Sequence, residues 1–325
     1  MIKTCWVGLA LAGLVEAVQA QSTVSLYGTW DVYLGRTRLA AGASPVSLTR
    51  LDSGGLSGSR WGLSVAEDLG GELQVQLGLE QPIFVRGGST EDGIVGGFDR
   101  QAWLGLTGDF GEIRVGQTDA ALDDVLYLGH GVFDSSFSQG ASDVMSLSAW
   151  QWVQGWVLRY ASPAVAGFTF GASWKGQGQD AAREADAYLL HEAGASSVAL
   201  GVRQRLHGST GLASQLVMLV GAQEFGRLTL RGKLATVRDA MAAARAREYQ
   251  LGWDLRVTPM LTVSAGWARA MARDAQTNKG FGVALTYALS DQTTVYVGYR
   301  RARAHSGGVL QARESLSGIG LRHRF

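Results

Sequence analysis

The chain has 325 residues, 46% of them hydrophobic and 18% charged, with a formal net charge of +1. That balance excludes a disordered chain and gives no sign of nucleic acid as a partner. Glycine is abundant (45) and proline scarce (4), which argues against a helical bundle, where an interior Gly costs about 1 kcal/mol, and against a Pro-rich coil.

Residues 1–20 read as a secretory signal peptide. Lys3 precedes an apolar stretch from Cys5 to Val15, and small and polar residues end at Val18-Gln19-Ala20. Cleavage is expected after Ala20. The apolar stretch is too short to span about 30 Å of hydrocarbon, so a membrane anchor is the weaker reading. The only cysteine, Cys5, lies in this segment. The exported chain is therefore expected to have no disulfide and no thiolate metal site.

From residue 22 onward the pattern is alternation at period 2. Val24, Leu26, Trp30 and Val32 alternate with Ser25, Tyr27, Thr29 and Asp31. Tyr249, Leu251, Trp253 and Leu255 alternate with Gln250, Gly252, Asp254 and Arg256. Successive side chains of a strand point to opposite faces, so each such segment is a strand with one apolar face. Sixteen are expected, near 22–36, 57–69, 72–85, 98–108, 111–117, 156–162, 167–175, 186–193, 197–207, 213–223, 227–237, 245–256, 261–271, 279–289, 292–304 and 313–325. Tight connectors at Gly70-Gly71, Asp109-Phe110-Gly111, Glu224-Phe225-Gly226, Thr258-Pro259-Met260 and Ser290-Asp291 alternate with longer polar ones.

A soluble sandwich and an outer-membrane barrel both fit many antiparallel strands. Strands of about ten residues, turns at one end and loops at the other favour the barrel. Aromatic residues at strand ends (Trp61, Trp103, Trp150, Trp152, Trp156, Trp174, Trp267 and Phe325) would form interfacial girdles. The expected fold is all-β: a 16-stranded antiparallel transmembrane β-barrel over 21–325, wide enough for an aqueous lumen.

Several motifs resemble the general trimeric porins of Gram-negative bacteria, in particular their beta-proteobacterial branch. Val24-Ser25-Leu26-Tyr27-Gly28-Thr29-Trp30-Asp31 is similar to the family's first strand. Ser59-Arg60-Trp61-Gly62-Leu63 followed by Glu67-Asp68-Leu69-Gly70-Gly71 resembles its second-strand hairpin. Phe98-Asp99-Arg100-Gln101-Ala102-Trp103-Leu104-Gly105-Leu106, then Phe110-Gly111 with Val115-Gly116, and the ending Gly320-Leu321-Arg322-His323-Arg324-Phe325 follow in the family's order. The resemblance implies an outer-membrane homotrimer. It implies that Phe325 is the barrel-insertion signal read by the assembly machinery, and that the third loop, about 118–155, folds inward as a constriction. Two positions depart from the family pattern: Ser64 stands where Lys is usual and Gln117 where Arg is usual.

The loop carries Asp119, Asp123, Asp124, Asp134 and Asp143 and no Lys or Arg. Rings of acidic side chains select cations. Residues 21–160 hold 16 acids against 8 bases and residues 161–325 hold 11 against 20, so acidic and basic arcs are expected across the barrel. Parity against lipid-facing Ile113, Val115, Leu158 and their equivalents turns Glu112, Arg114, Arg159, Arg231, Lys233, Arg256 and Arg300 inward. Arg60, Arg114, Arg159, Arg231, Arg256 and Arg300 are the expected basic wall. The expected function is a water-filled channel for ions and small hydrophilic solutes, with a weak preference for cations.

A substrate-specific channel needs an aromatic slide, and the inward aromatics are few: Tyr27, Tyr33 and Tyr296. An enzyme is the weaker alternative. The five histidines (His130, His191, His207, His305 and His323) fall on separate elements, with no G-x-S-x-G elbow and no H-E-x-x-H. A purely adhesive barrel would not need acids gathered in one inward loop. No cofactor or metal is expected. Outer-membrane lipid and lipopolysaccharide are expected neighbours, with Glu91-Asp92 as a weak divalent-ion candidate.

Overall fold

The computed structural model describes residues 22–41, 45–85, 97–130, 132, 135–140, 156–176, 183–206, 210–239, 244–272 and 276–325. The expected signal peptide lies outside these residues, as do Glu91-Asp92, Asp134, Asp143, Trp150, Trp152 and His207.

Seventeen strands are described: β1 Ser22–Ala41, β2 Val46–Ser53, β3 Arg60–Gly70, β4 Leu73–Pro82, β5 Gln101–Gly108, β6 Gly111–Gln117, β7 Val157–Ala161, β8 Phe168–Lys175 and β9 Arg183–Ala193 in the first half. The second half holds β10 Ser196–Leu206, β11 Ala213–Phe225, β12 Leu228–Asp239, β13 Ala244–Arg256, β14 Leu261–Ala272, β15 Thr277–Ala288, β16 Thr293–Ser306 and β17 Val309–Arg324. All pair antiparallel in one sheet. β1 closes the ring on β17, from Thr29↔Arg324 to Ala41↔Ala312.

β2 and β3 are two halves of one wall strand. β2 pairs with the second half of β1 (Leu39↔Val46 to Val32↔Ser53) and β3 with its first half (Thr29↔Arg60 to Ser22↔Glu67). The barrel therefore has sixteen staves. Segment 46–53 is the strand that sequence reasoning left in a loop. Its apolar Val46 and Leu48 share parity with charged Arg50 and Asp52, so no clean alternation marks it.

Burial is inverted relative to a soluble protein. Val24 (67% exposed), Leu251 (63%) and Ile319 (62%) point outward, while Asp31 (0%) and Asn278 (1%) are buried inside. Apolar side chains left outside on nearly every strand fit a lipid surround, because in water that surface would drive association. The connections at Gly71-Glu72, Asp109-Phe110, 162–167, Gly194-Ala195, Gly226-Arg227, 257–260 and 289–292 lie at one end, with both barrel termini. The longest connections, 83–100 and 118–156, lie at the other, hereafter the loop end, together with shorter ones at 42–45, 240–243 and 273–276 and the Gly307-Gly308 turn. There φ is +57° and +83°, as a two-residue hairpin with both central residues left-handed requires. Gly28 faces the ring of Phe325 and exchanges backbone hydrogen bonds with it (3.0 and 3.1 Å), so the chain end is sealed into the wall.

Two expectations are corrected. Trp103 is not in an outer girdle: the Arg114 guanidinium lies 4.1 Å over its ring, on the lumen side. The basic half does not form a lumen arc. Arg238, Arg245, Arg247, Arg269, Lys279, Arg301, Arg303 and Arg313 occupy outward positions near the loop end. The charge excess of residues 161–325 is therefore largely outside the barrel.

Candidate functional site

The described part of the third loop, 118–130 with 132 and 135–140, lies against inward-facing side chains. Its start contains α1, Asp123–Leu126, and one 3-10 turn, Tyr127–Gly129. A helix this short has little stability of its own, so its position rests on contacts. The Ala121 N–H donates to Ser173 Oγ (3.0 Å) and the Leu122 N–H to Asp186 Oδ1 (3.2 Å). Leu122 and Val125 are buried among Tyr188, Leu216, Met218 and Val220.

Charge pairing completes this anchor. Arg159 Nη2 donates to Asp124 Oδ2 (2.5 Å), and the Tyr188 hydroxyl donates to the same oxygen (3.1 Å). Arg203 bridges Asp123 (3.1 Å), Asp186 (3.0 Å) and Glu184 (3.5 Å). Asp119 accepts from the Gln101 amide (3.1 Å). Burial pushes the Asp119 and Asp124 carboxyls above the usual carboxylate range, opposed for Asp124 by Arg159 and for Asp119 by Arg100. These aspartates are therefore not free charges.

The second anchor is at 136–139, near the opposite staves. Phe137 is fully buried, edge-on to Tyr33 (5.6 Å between centroids) and Tyr296 (6.1 Å). Its backbone and ring lie over Gly282 and Gly298, where a Cβ would collide with them. The inward glycines thus form the floor on which the loop rests. The Ser136 N–H donates to Gly55 O (3.0 Å), Arg300 Nη1 donates to Ser136 O (2.8 Å), and Gln139 Nε2 donates to Gln250 Oε1 (3.2 Å).

Asp31 holds the 54–59 linker against which Ser136 rests, and sequence reasoning missed this. Its carboxylate accepts from the N–H groups of Gly55 (3.1 Å), Leu56 (2.7 Å) and Ser57 (2.8 Å), and from the Tyr296 hydroxyl. The available signal was a carboxylate at an inward position of the first strand.

The other expected wall bases are also paired. Arg60 and Arg100 share Glu80 (3.3 and 2.5 Å), Arg114 pairs with Glu112 (2.7 Å), and Arg231 with Asp254 (2.8 Å). Lys233 pairs with Glu248 (3.5 Å) and Arg300 with Glu314. Arg256 stands apart. It has inward parity but lies at the tight-turn rim, exposed, donating to Gly226 O (3.1 Å). Ser64 faces inward on β3, and the Gln117 amide ties Asp99 O. Besides Tyr27, Tyr33 and Tyr296, the lumen contains Trp103 and Tyr188. Phe325 is exposed at the tight-turn end. Among the described residues no group of three His, Cys, Asp or Glu could hold a metal.

His130 ends the 3-10 turn, buried beneath Tyr127 (5.8 Å between rings), its Nδ1 without a hydrogen-bond partner. Burial, with Lys233 and Arg231 nearby, lowers its pKa from 6.5 to about 3. A base held neutral contributes stability that is complete above its unfolded pKa of 6.5 and declines as pH falls below it toward 3, by at most about 1.4 kcal/mol per pH unit. The carboxyls of Asp119 and Asp124 act in the opposite sense. Loop docking, read as conductance in planar bilayers, is expected to loosen between pH 6.5 and 5 in the wild type, and His130→Gln should flatten that change. An equal change in the variant would assign it elsewhere.

The sequence model of Gram-negative porins matches residues 8–306 of the chain. Outer membrane porin protein 32 of Delftia acidovorans is 28% identical, with both chains covered over 100% of their length. An outer membrane porin protein of Bordetella pertussis is 26% identical over the same shares. Among solved structures, an anion-selective porin from Comamonas acidovorans is similar with a TM-score of 0.78, 23% identity and coverage of 94% of this chain and 100% of that one. A trimer form of OmpT from Vibrio cholerae is similar at 0.68, with 16% identity, covering 94% and 99%.

Proposed function

The chain belongs to the Gram-negative porin family, channels of the bacterial outer membrane, and from that premise we propose that it is a general, weakly selective diffusion pore narrowed by its third loop. The observation that carries this reading is the pairing of charge around the loop: Asp123 and Asp124 with Arg203 and Arg159, and wall acids with wall bases. Paired charges leave little net potential for either ion sign, while their dipoles still orient polar solutes. The cation preference expected from sequence rested on free loop carboxylates, and the three that are described are bonded. The similar porin from Comamonas acidovorans is anion-selective, which also speaks against it. The trimer form of the similar OmpT supports a homotrimer here. The signal peptide over 1–20 and barrel-assembly recognition of Phe325 complete the proposal.

The test is single-channel recording under a salt gradient. The wild type is expected to open in steps of three with a reversal potential near zero. Changing Asp119, Asp123 and Asp124 together to Asn should move the potential to the anion side, because Arg159 and Arg203 lose their counter-charges. An unmoved potential would remove the loop from the selectivity reading. Absence of conductance from folded, heat-modifiable protein would remove the open pore.

A further inference from the structure

The tryptophan that parity turns inward is held on several sides. Trp103 lies opposite Gly78 on β4, and its indole rests on that backbone: a Cβ at Gly78 would stand 2.5 Å from Cε2 and 2.6 Å from Nε1. A Cβ at Gly105, two residues along β5, would stand 3.2 Å from Cζ3. Glycine inside a strand marks a close approach of this kind. Arg114 covers the ring, its Cζ 4.1 Å from the centroid. Glu112 holds both arms of the Arg114 fork, Nε at Oε1 and Nη2 at Oε2, each 2.7 Å. The guanidinium is therefore folded onto the wall and not extended across the lumen.

The edge of the indole reaches the loop. Trp103 Nε1 donates to Gln101 Oε1 (3.0 Å), and Gln101 Nε2 donates to Asp119 Oδ2 (3.1 Å). The chemistry fixes the order of this relay. An indole N–H only donates and an ionised carboxylate only accepts, so the amide between them has one orientation that satisfies both. Glu80, directly opposite Gln101, does not compete for the amide, because its carboxylate is taken by Arg60, Arg100 and the Tyr27 hydroxyl. Asp119 is the second residue beyond β6, where the third loop leaves the wall. The contacts at 121–125 and at 136–139 hold the loop further along. The relay from Trp103 holds its first step.

We propose that Trp103 is a positioning residue that sets the size limit of the pore. Through Gln101 it fixes where Asp119 starts the loop, and with its ring it keeps Arg114 against the wall. Removing the indole N–H frees the Gln101 amide to turn. Removing the ring also frees Arg114. The role rests on the reading that the third loop narrows the pore, and it does not depend on which ion sign the pore prefers.

The test is entry of uncharged sugars of increasing size into liposomes that contain the full folded protein, with heat-modifiability reporting the barrel. W103F keeps a ring beneath Arg114 but has no N–H. It should loosen the start of the loop on the order of fivefold, the worth of one such hydrogen bond, and admit larger sugars than the wild type. Q101L should do the same, and the double variant should do no more than either, because the two residues act in one relay. W103A also loses the contact with Arg114 and should raise the limit beyond W103F. G78A leaves Trp103 in place but puts a methyl where the indole rests; it should raise the limit in the wild type and add nothing in W103A. Additive effects of W103F and Q101L, or a G78A effect that persists undiminished in W103A, would reduce Trp103 to wall packing and overturn the proposal. So would a wild-type size limit in W103A. Phe137→Ala separates this outcome from failure of the channel reading. If Phe137→Ala admits larger sugars and W103A does not, Trp103 loses its role while the loop still narrows the pore. If neither does, narrowing by the loop fails and the proposal with it. If W103A does not fold, W103F and Q101L, alone and combined, with G78A carry the test.

Discussion

Replacing Arg203 by Ala is expected to raise single-channel conductance and move the reversal potential to the cation side. Arg203 is the counter-charge shared by Asp123, Glu184 and Asp186, and its side chain is only 12% exposed. Removing it leaves Asp123 and Asp186 without their counter-charge and Glu184 with Arg205 alone (2.8 Å). Breaking a buried pair costs about 3–5 kcal/mol, and the wetted lumen puts this site at the lower end. That much exceeds what the backbone contacts of Ala121 and Leu122 supply, so the start of the loop should detach while the strand ladders stay closed. Arg203→Lys keeps the charge but not the fork that reaches Asp123 and Asp186 together, and should recover only part of the effect. The check is conductance and reversal potential in planar bilayers, with heat-modifiability reporting the barrel. Unchanged values for Arg203→Ala would mean that the pairing does not govern the lumen.

Phe137→Ala is expected to release the other end of the loop. Phe137 is the largest fully buried side chain among the described residues and fills the space between Tyr33, Tyr296 and Leu316. Emptying it costs about 3–5 kcal/mol, a loss borne by the loop and not by the wall, because β15 and β16 remain hydrogen-bonded through Gly282↔Arg300 and its neighbours. The expected result is a larger, noisier conductance with an unmoved reversal potential. That separates this variant from Arg203→Ala, which changes charge as well as width. Phe137→Leu should keep most of the wild-type conductance. If Phe137→Ala conducts like the wild type, the hydrogen bonds of Ser136 and Gln139 are enough to hold the loop.

Much of the wall was legible in the sequence. A period of two is a local property, so Leu251 against Gln250, or Leu158 against Arg159, fixes which face each residue takes without knowledge of any partner. The tight connectors at Asp109-Phe110-Gly111 and Ser290-Asp291 likewise located one rim. Segment 46–53 escaped because its apolar and charged residues share one parity, and Trp103 was misplaced because aromatic type was allowed to outweigh parity.

What the loop carboxylates do was not legible. Asp123 meets Arg203 across 80 positions of sequence and Asp31 meets Tyr296 across 265. Those meetings depend on barrel closure and on where the loop comes to rest. Composition counted the loop aspartates as acidic potential and the second half as a basic arc. The tertiary structure paired the described loop aspartates Asp123 and Asp124 with arginine and turned much of the second half's charge toward lipid. The sequence alone determined the strands, their two faces and the membrane barrel they build, because side-chain direction follows from the chain's own repeat. Only the tertiary structure decided which charges neutralise one another and which stand unpaired, because cross-strand register and loop docking bring together residues that no local pattern connects.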